Sequence, residues 1–339
     1  MTAVCVIATA ACTAVGLTAP AAAAAVRSAI SGFEEYPDAM DLTHKPAIVA
    51  VPPGMADITD PAAAMAEMAI AALSQFTAGA ALPVILTLPE ARPGLAPDFA
   101  ARVAALVENQ LAGCRVTASS AGGHAGVGVA LHQTQSFLDR NPDSIVALVG
   151  VDSYLSPDTI GWLDSHRQLH ATYNAWGFIP GAAAGACLLC HPKLAQTRPM
   201  PPRAIIEALS LDREEVPIKT DGVCLGRAMS RIVAALVEDT PDGAVFDAFY
   251  CDQNGEAYRA DELGFMLARS ATRFRDPSNF VAPADCWGDV GAASLPLFIA
   301  LAVEAADRNY AKGPVSLLLA GSESGLRAGL RLRTPMRGV

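Results

Sequence analysis

Short apolar runs alternate with longer helical runs along almost the whole chain, and the short runs are apolar on both faces. Ile145-Val146-Ala147-Leu148-Val149 is the clearest case, entered through the helix-ending turn Asn141-Pro142-Asp143. Successive strand residues point to opposite faces, so a run apolar at every position is covered on both sides. The pattern predicts strands near 3–9, 47–51, 84–88, 114–118, 145–150, 184–190, 245–250 and 315–320. Between them it predicts helices near 19–30, 60–78, 98–111, 122–139, 157–165, 221–237, 259–271 and 291–309. Such alternation implies α/β layers with largely parallel sheets. The span 192–220 breaks it with five prolines and the charged Asp212-Arg213-Glu214-Glu215. It reads as a connection between an N-terminal half, 1–191, and a C-terminal half, 221–339.

Composition narrows the function classes. A 339-residue chain that is 52% hydrophobic has ample apolar surface for extensive cores, and with 6% aromatics those cores are built from Ala, Val, Leu and Gly. A net charge of -10 argues against nucleic acid. The eight cysteines are dispersed through apolar runs, which fits reduced buried thiols and a cytoplasmic setting. Cys187 and Cys190, three apart in one strand, point to opposite faces and make no metal pair. His166 and His170 have helical i,i+4 spacing but no third ligand near them, so no metal and no cofactor is expected. Met1 to Ala25 is almost wholly apolar, yet no basic residue precedes Arg27, and Gly16 and Pro20 interrupt it. A buried first strand followed by a helix capped by Thr18 fits better than a signal peptide or a membrane span.

Five segments carry the chemistry. Val4 to Gly32 reads as strand, Gly turn and Ala-rich helix. Thr117-Ala118-Ser119-Ser120-Ala121-Gly122-Gly123-His124-Ala125 reads as strand, tight turn and helix start. Ala147 to Ser153 ends a strand in Gly150-Val151-Asp152. Gly177-Phe178-Ile179-Pro180-Gly181 leads into Ala182-Ala183-Ala184-Gly185. Asp285-Cys286-Trp287-Gly288-Asp289-Val290-Gly291-Ala292-Ala293-Ser294 opens the apolar run Leu295 to Ala302. In this order they resemble the segments of β-ketoacyl synthases, members of the thiolase-like superfamily, over about three quarters of the chain.

The resemblance implies a five-layer α-β-α-β-α sandwich of two similar halves, with a site where the halves meet. It also implies a homodimer built through the strand that leads into the nucleophile turn. The family's reaction uses a cysteine that takes the acyl group and two histidines that hydrogen-bond the enolate formed on loss of CO2. Those positions fall on Ser119, Asp252 and Asp289 here. The pocket positions fall on Gly177, Phe178 and Gly181 and, in the C-terminal Gly-rich loop, on Gly321, Glu323 and Gly325.

Each replacement works against condensation. A serine hydroxyl needs a base before it attacks, and ionised aspartates donate no hydrogen bond. Two adjacent carboxylates sharing a proton would restore one donor. Cys286 is the better substitute thiol, since Cys114 points into packing. His124, about 140° round the helix from Ser119, reads as a poor base that packs at the helix start. Asp252 to Gly264, with Arg259, is either an acidic cleft wall or a solvated helix start.

The leading expectation is an accessory protein of fatty-acid or polyketide-type acyl biosynthesis. It would pair with an active synthase or bind an acyl thioester or acyl carrier protein, with neither nucleic acid nor membrane as partner. The alternatives are an acyltransferase or thioesterase using Ser119, and a structural homodimer without a small-molecule site.

Overall fold

The computed structural model describes residues 3–76, 82–198, 200–220, 222–238 and 245–335. The expected helical positions 77, 78 and 221 lie outside them. The elements run β1 (Val4–Cys12), α1 (Ala19–Arg27), β2 (Phe33–Met40), β3 (Pro46–Ala50), α2 (Pro61–Leu73), β4 (Leu82–Leu88) and α3 (Phe99–Gln110). They continue with β5 (Cys114–Ala121), α4 (Gly126–Arg140), β6 (Ile145–Ser153), α5 (Pro157–Ser165), β7 (Ala182–Cys190), α6 (Pro192–Thr197) and β8 (Ala204–Arg213). The last are α7 (Arg227–Val237), β9 (Ala248–Cys251), α8 (Ala257–Ser270), α9 (Ala284–Trp287), α10 (Ser294–Asp307), β10 (Val315–Gly321) and β11 (Leu326–Arg333). Thr18 caps α1 and Pro20 sits in its first turn, as expected.

Among the described residues nine strands form one sheet in the order β5-β4-β6-β7-β1-β8-β11-β10-β9, and β2 and β3 make a separate hairpin. β1 holds the sheet together, pairing with β7 from Cys5 to Cys12 and with β8 through Val4, Cys5 and Val6. Two expectations need correcting. The sheet is parallel only at its ends, where β4 joins β5 and β6 and where β10 joins β9; the middle is antiparallel. A strand covered on both faces is apolar whichever way it runs, so its pattern does not encode direction. And 192–220 is no mere connection. It holds α6 and the ten-residue β8, whose partial burial and charged end hid it between prolines.

Helices α2 and α3 cover the outside of the first arm, from β5 to β1, around Met65, Met68, Leu86, Val103 and Val149. Helices α7 and α8 pack on the second arm around Ile232, Phe249, Met266 and Leu317. Between them, α4 touches β4, β6, β8 and β11, while α10 touches β7, β1 and β10. Every residue of α10 from Ser294 to Ala306 is buried, which is why the stretch from Leu295 to Val303 is apolar all round. The arms differ in size, five strands against four, and share one sheet. Among the described residues no helix is long and apolar enough to cross a membrane.

Close packing at the centre depends on glycine. A Cβ on Gly150 of β6 would lie 2.2 Å from the Ala292 carbonyl oxygen, in the turn that leads into α10. Gly150→Ala is expected to destabilise the chain by about 3 kcal/mol, since a backbone oxygen blocks the methyl and the Pro296 and Thr87 side chains, each 3.0 Å from it, leave little room to relax. Urea unfolding measures this, and a loss under about 0.5 kcal/mol would mean that the two segments are not in contact.

Candidate functional site

The C-terminal ends of the first-arm strands, the start of α4 and the β10–β11 turn meet round a cavity of about 250 Å³. Glu90, Arg92, His124, Asp152, Tyr154 and Glu323 are among its lining residues, together with Gly123, Trp162 and Ser324.

His124 sits at the hinge between β5 and α4. The strand runs on to Ala121, Gly123 turns the chain at φ +60°, and residues 123–125 make a single 3-10 turn. The β10–β11 turn clamps this hinge: Ser322 Oγ donates to the Gly122 carbonyl at 2.6 Å and accepts from Ala125 N at 2.9 Å.

Asp289 approaches from the opposite side. Gly288 at φ +71° breaks α9, and the next residue is held by backbone bonds on both faces. Asp289 N donates to the Ile179 carbonyl at 2.8 Å, and Gly181 N donates to the Asp289 carbonyl at 2.8 Å. Its carboxylate then accepts from Gly291 N at 2.9 Å, His124 Nε2 at 2.7 Å and Asn254 Nδ2 at 2.7 Å. Both His124 and Asp289 are 3% exposed, so the pair is effectively out of water.

Arg259 of α8 ties in the third segment. Its Nη1 donates to Asp252 Oδ2 at 2.9 Å and to the Gly321 carbonyl at 3.0 Å, and Nε meets Glu256 Oε2 at 3.3 Å. Nη2 lies 3.5 Å from His124 Nε2. Asp252 also accepts from Gly321 N at 2.7 Å. In the cavity wall Arg92 donates to Asp152 at 2.5 Å and to the Ser153 carbonyl at 2.7 Å, with its guanidinium 3.9 Å from the centre of the Tyr154 ring. Asp152 accepts in turn from Ala292 N at 3.0 Å. Glu323 is bound by Gln168 at 2.7 Å and by Lys219 at 2.8 Å, and Lys219 sits 4.0 Å over Trp162.

These contacts fix the charge states. Burial alone would raise the Asp289 pKa, but the charge and hydrogen bond of His124, the charge of Arg259 and the Gly291 N–H outweigh it and hold the carboxyl well below its usual range. Burial opposes a charged His124, and Arg259 opposes it too; Asp289 overrides both and raises the imidazole pKa. Burial raises the Glu256 carboxyl despite Arg259. Glu323 is pushed up by burial, but Lys219 and Gln168 bring it below normal.

The structure brings Asp252 and Asp289 to one cluster and leaves Ser119 out. Ser119 is exposed on β5, the edge strand, paired to Leu86 of β4. Counting from Thr117-Ala118 placed the turn too early, because the strand continues to Ala121; the side chain at the turn is His124. The reading of His124 as packing is corrected accordingly. The shared-proton arrangement also gives way, since each aspartate has a cationic partner.

Among the pocket positions, Glu323 lines the cavity. Phe178 is buried behind it, 5.4 Å edge-on to Tyr154. Gly181 and Gly321 act through their backbones on Asp289, Asp252 and Arg259. Gly177 packs against the Leu169 backbone, and Gly325, at φ +97°, makes the β10–β11 turn and binds Glu214 N. Segment 252–264 lies outside the lining of the His124 cavity and borders a separate cleft of about 20 Å³ through Asp252, Gln253, Arg259, Glu262 and Leu263, with Arg259 and Glu262 buried and Asp261 exposed. Nothing in the sequence pattern singled out Arg92, which lies between Pro89 and Pro93, or Gln168, Lys219 and Asn254. Asp152 was visible at the end of its strand, and Arg259 in an unresolved choice. Elsewhere, Glu214, Cys224 and Glu262 have ligand-type atoms within 4.8 Å of one another, with Arg327 bound to Glu262 at 2.7 Å.

In fold the chain is ketosynthase-like. One chain of a type II PKS acyl-carrier protein in complex with its ketosynthase bound to the hexaketide (AntDE:AntF) superposes with a TM-score of 0.75 at 14% identity, over 98% of this chain and 99% of that one. The ishigamide ketosynthase/chain length factor gives 0.68 at 17%, over 98% and 99%. The ketosynthase from module 6 of the bacillaene synthase from Bacillus subtilis 168 gives 0.70 at 13%, over 98% and 72%. No protein-family model and no curated protein sequence matches the chain.

Proposed function

We propose that this protein is an accessory of fatty-acid- or polyketide-type acyl biosynthesis that receives an acyl thioester, or the carrier bearing it, without forming an acyl-cysteine and without condensing. The observation that supports this most is the cavity lining, which has His124, Arg92, Asp152, Tyr154 and two glutamates but no thiol. Acyl loading through sulfur needs a thiolate. Cys251 and Cys286, beside Asp252 and near Asp289 in sequence, are buried, and burial raises both thiols. The decarboxylative half needs donors aimed at an enolate, whereas Asp289 is an ionised acceptor already holding three donors. Asp252 and Asp289 then serve to hold Arg259 and His124 in place. On this reading the two sheet arms, the outer helices and α4 with α10 between them are the five layers of a thiolase-like fold.

Partners follow from the same reading. The similar structures include an acyl-carrier protein with its ketosynthase and a ketosynthase/chain length factor. For this chain a carrier protein or a catalytic synthase subunit is the expected partner. The outer edge of β5, with side chains alternately exposed, favours pairing with a second copy. Sedimentation at micromolar concentration is expected to give a dimer, and a monodisperse monomer would remove that part of the proposal. Trp162 in the cavity wall reports ligand entry. Small acyl thioesters and acyl-carrier thioesters are expected to change its fluorescence saturably, an effect that Trp162→Phe abolishes. No saturable response to any acyl thioester would contradict acyl binding.

One observation favours a second reading. With Nε2 on Asp289, the Nδ1 of His124 has no partner among the described residues, and the ring lines the cavity. A neutral imidazole with Nε2–H donated to a carboxylate presents a basic nitrogen, the arrangement a general base needs for water attack on a thioester. Because Asp289 raises the His124 pKa, such hydrolysis would increase with pH through neutrality and disappear in His124→Gln. A pH-independent thioesterase rate would exclude it.

A further inference from the structure

A second cleft, of about 260 Å³, shares no lining residue with the His124 cavity. Its floor is apolar, made by Ala23 and Val26 of α1, Ala248 and Tyr250 of β9, and Leu301 and Ala305 of α10. Two cations stand at its mouth. Arg27, exposed at the end of α1, lies with its guanidinium 4.3 Å from the centre of the Tyr310 ring, and Lys312 Nζ donates to the Asn279 carbonyl at 3.0 Å. Neither is within ion-pair distance of a carboxylate among the described residues. Asp276, the carboxylate whose charge reaches Lys312, accepts instead from Ser278 N and Oγ, at 3.1 and 2.7 Å.

An apolar slot with unpaired positive charge at one end is complementary to an amphipathic anion. We propose that this cleft binds a short- to medium-chain carboxylate, its methylenes on the α1–β9–α10 floor and its carboxylate between Arg27 and Lys312. The size sets the limit. Sites for drug-sized ligands begin at about 300 Å³, so a single unbranched chain fits and a fused-ring or long-chain ligand does not. Carboxylate geometry suits the Arg27 fork, with Lys312 as a point charge beside it. This chemistry holds whether or not the His124 cavity takes an acyl thioester.

The test is calorimetric titration of the full chain with butanoate, hexanoate and octanoate, and with octanol and octylamine as head-group controls. Each buried methylene is expected to tighten binding about fourfold. Octanol is expected to bind about tenfold more weakly than octanoate, and octylamine not at all. Lys312→Gln should weaken octanoate about tenfold, and Ala311→Trp, at a half-buried lining position, should block the cleft. Circular dichroism checks that Ala311→Trp is folded; if it is not, Lys312→Gln alone decides. Equal affinity for octanol and octanoate would overturn the proposal. So would unchanged octanoate binding in Lys312→Gln, or no binding of octanoate at millimolar concentration.

Discussion

Arg259→Ala is expected to destabilise the chain by about 3–5 kcal/mol. The guanidinium is 6% exposed and is the bond partner of Asp252, Glu256 and the Gly321 carbonyl, and its charge also faces Asp289. Its removal leaves a cluster of buried carboxylates facing His124, the Asn254 and Gln168 amides and backbone donors, with no guanidinium among them. Removing one member of a buried charge cluster costs far more than the cluster contributes as a whole, because the remaining charges stay buried and unpaired. Arg259→Lys should recover part of the loss, since an ammonium restores the charge but not the fork that reaches Asp252 and Glu256 together. Urea unfolding of the three chains measures this. A change under about 1 kcal/mol in Arg259→Ala would mean that the carboxylates are solvated and the site is open.

Asp289→Ala is expected to cost about 3–5 kcal/mol as well, and its cost should depend on pH in a stated direction. The folded pKa of Asp289 lies below its unfolded value, so its stabilisation is present above the unfolded carboxyl pKa of about 3.9 and is lost as pH falls through the depressed folded value. His124 behaves oppositely. Its folded pKa is raised, so its contribution is complete below about pH 6.5 and fades as pH rises through the folded value. The pair is therefore worth most in mildly acidic solution. The stability gap between the native chain and His124→Gln should narrow from pH 6 to pH 9. A gap that widens over that range would mean that the imidazole is buried neutral and not held charged by Asp289.

Much of this arrangement was legible before any coordinates. Alternating apolar runs located β1, β3, β4, β5, β6, β7 and β10 and the long helices, because full burial leaves a signature at every position. β2 and β11 escaped because charged residues interrupt them, Glu34-Glu35 in the first and Arg327, Arg331 and Arg333 in the second. Those arginines form ion pairs with Glu262 and Glu207, pairings that sequence distance conceals. The order of Gly-rich segments pointed to the fold and brought Asp252 and Asp289 to one place. It failed at Ser119, since two or three further residues of β5 move the turn to Gly123 and a motif count has no means of registering strand length. Arg259 shows the same limit. A helical arginine beside Asp261 and Glu262 looks solvated until Gly321, Asp252 and Glu256 are seen to close round it.

The most direct measurement is intact mass spectrometry of the protein after incubation with acyl- and malonyl-carrier thioesters, with the small-molecule products analysed alongside. The account predicts an unmodified chain and no β-ketoacyl product, because no thiol lines the His124 cavity and Asp289, behind His124, holds its donors as an anion. An acyl adduct on any cysteine, or measurable carbon–carbon condensation by the native protein, would contradict it.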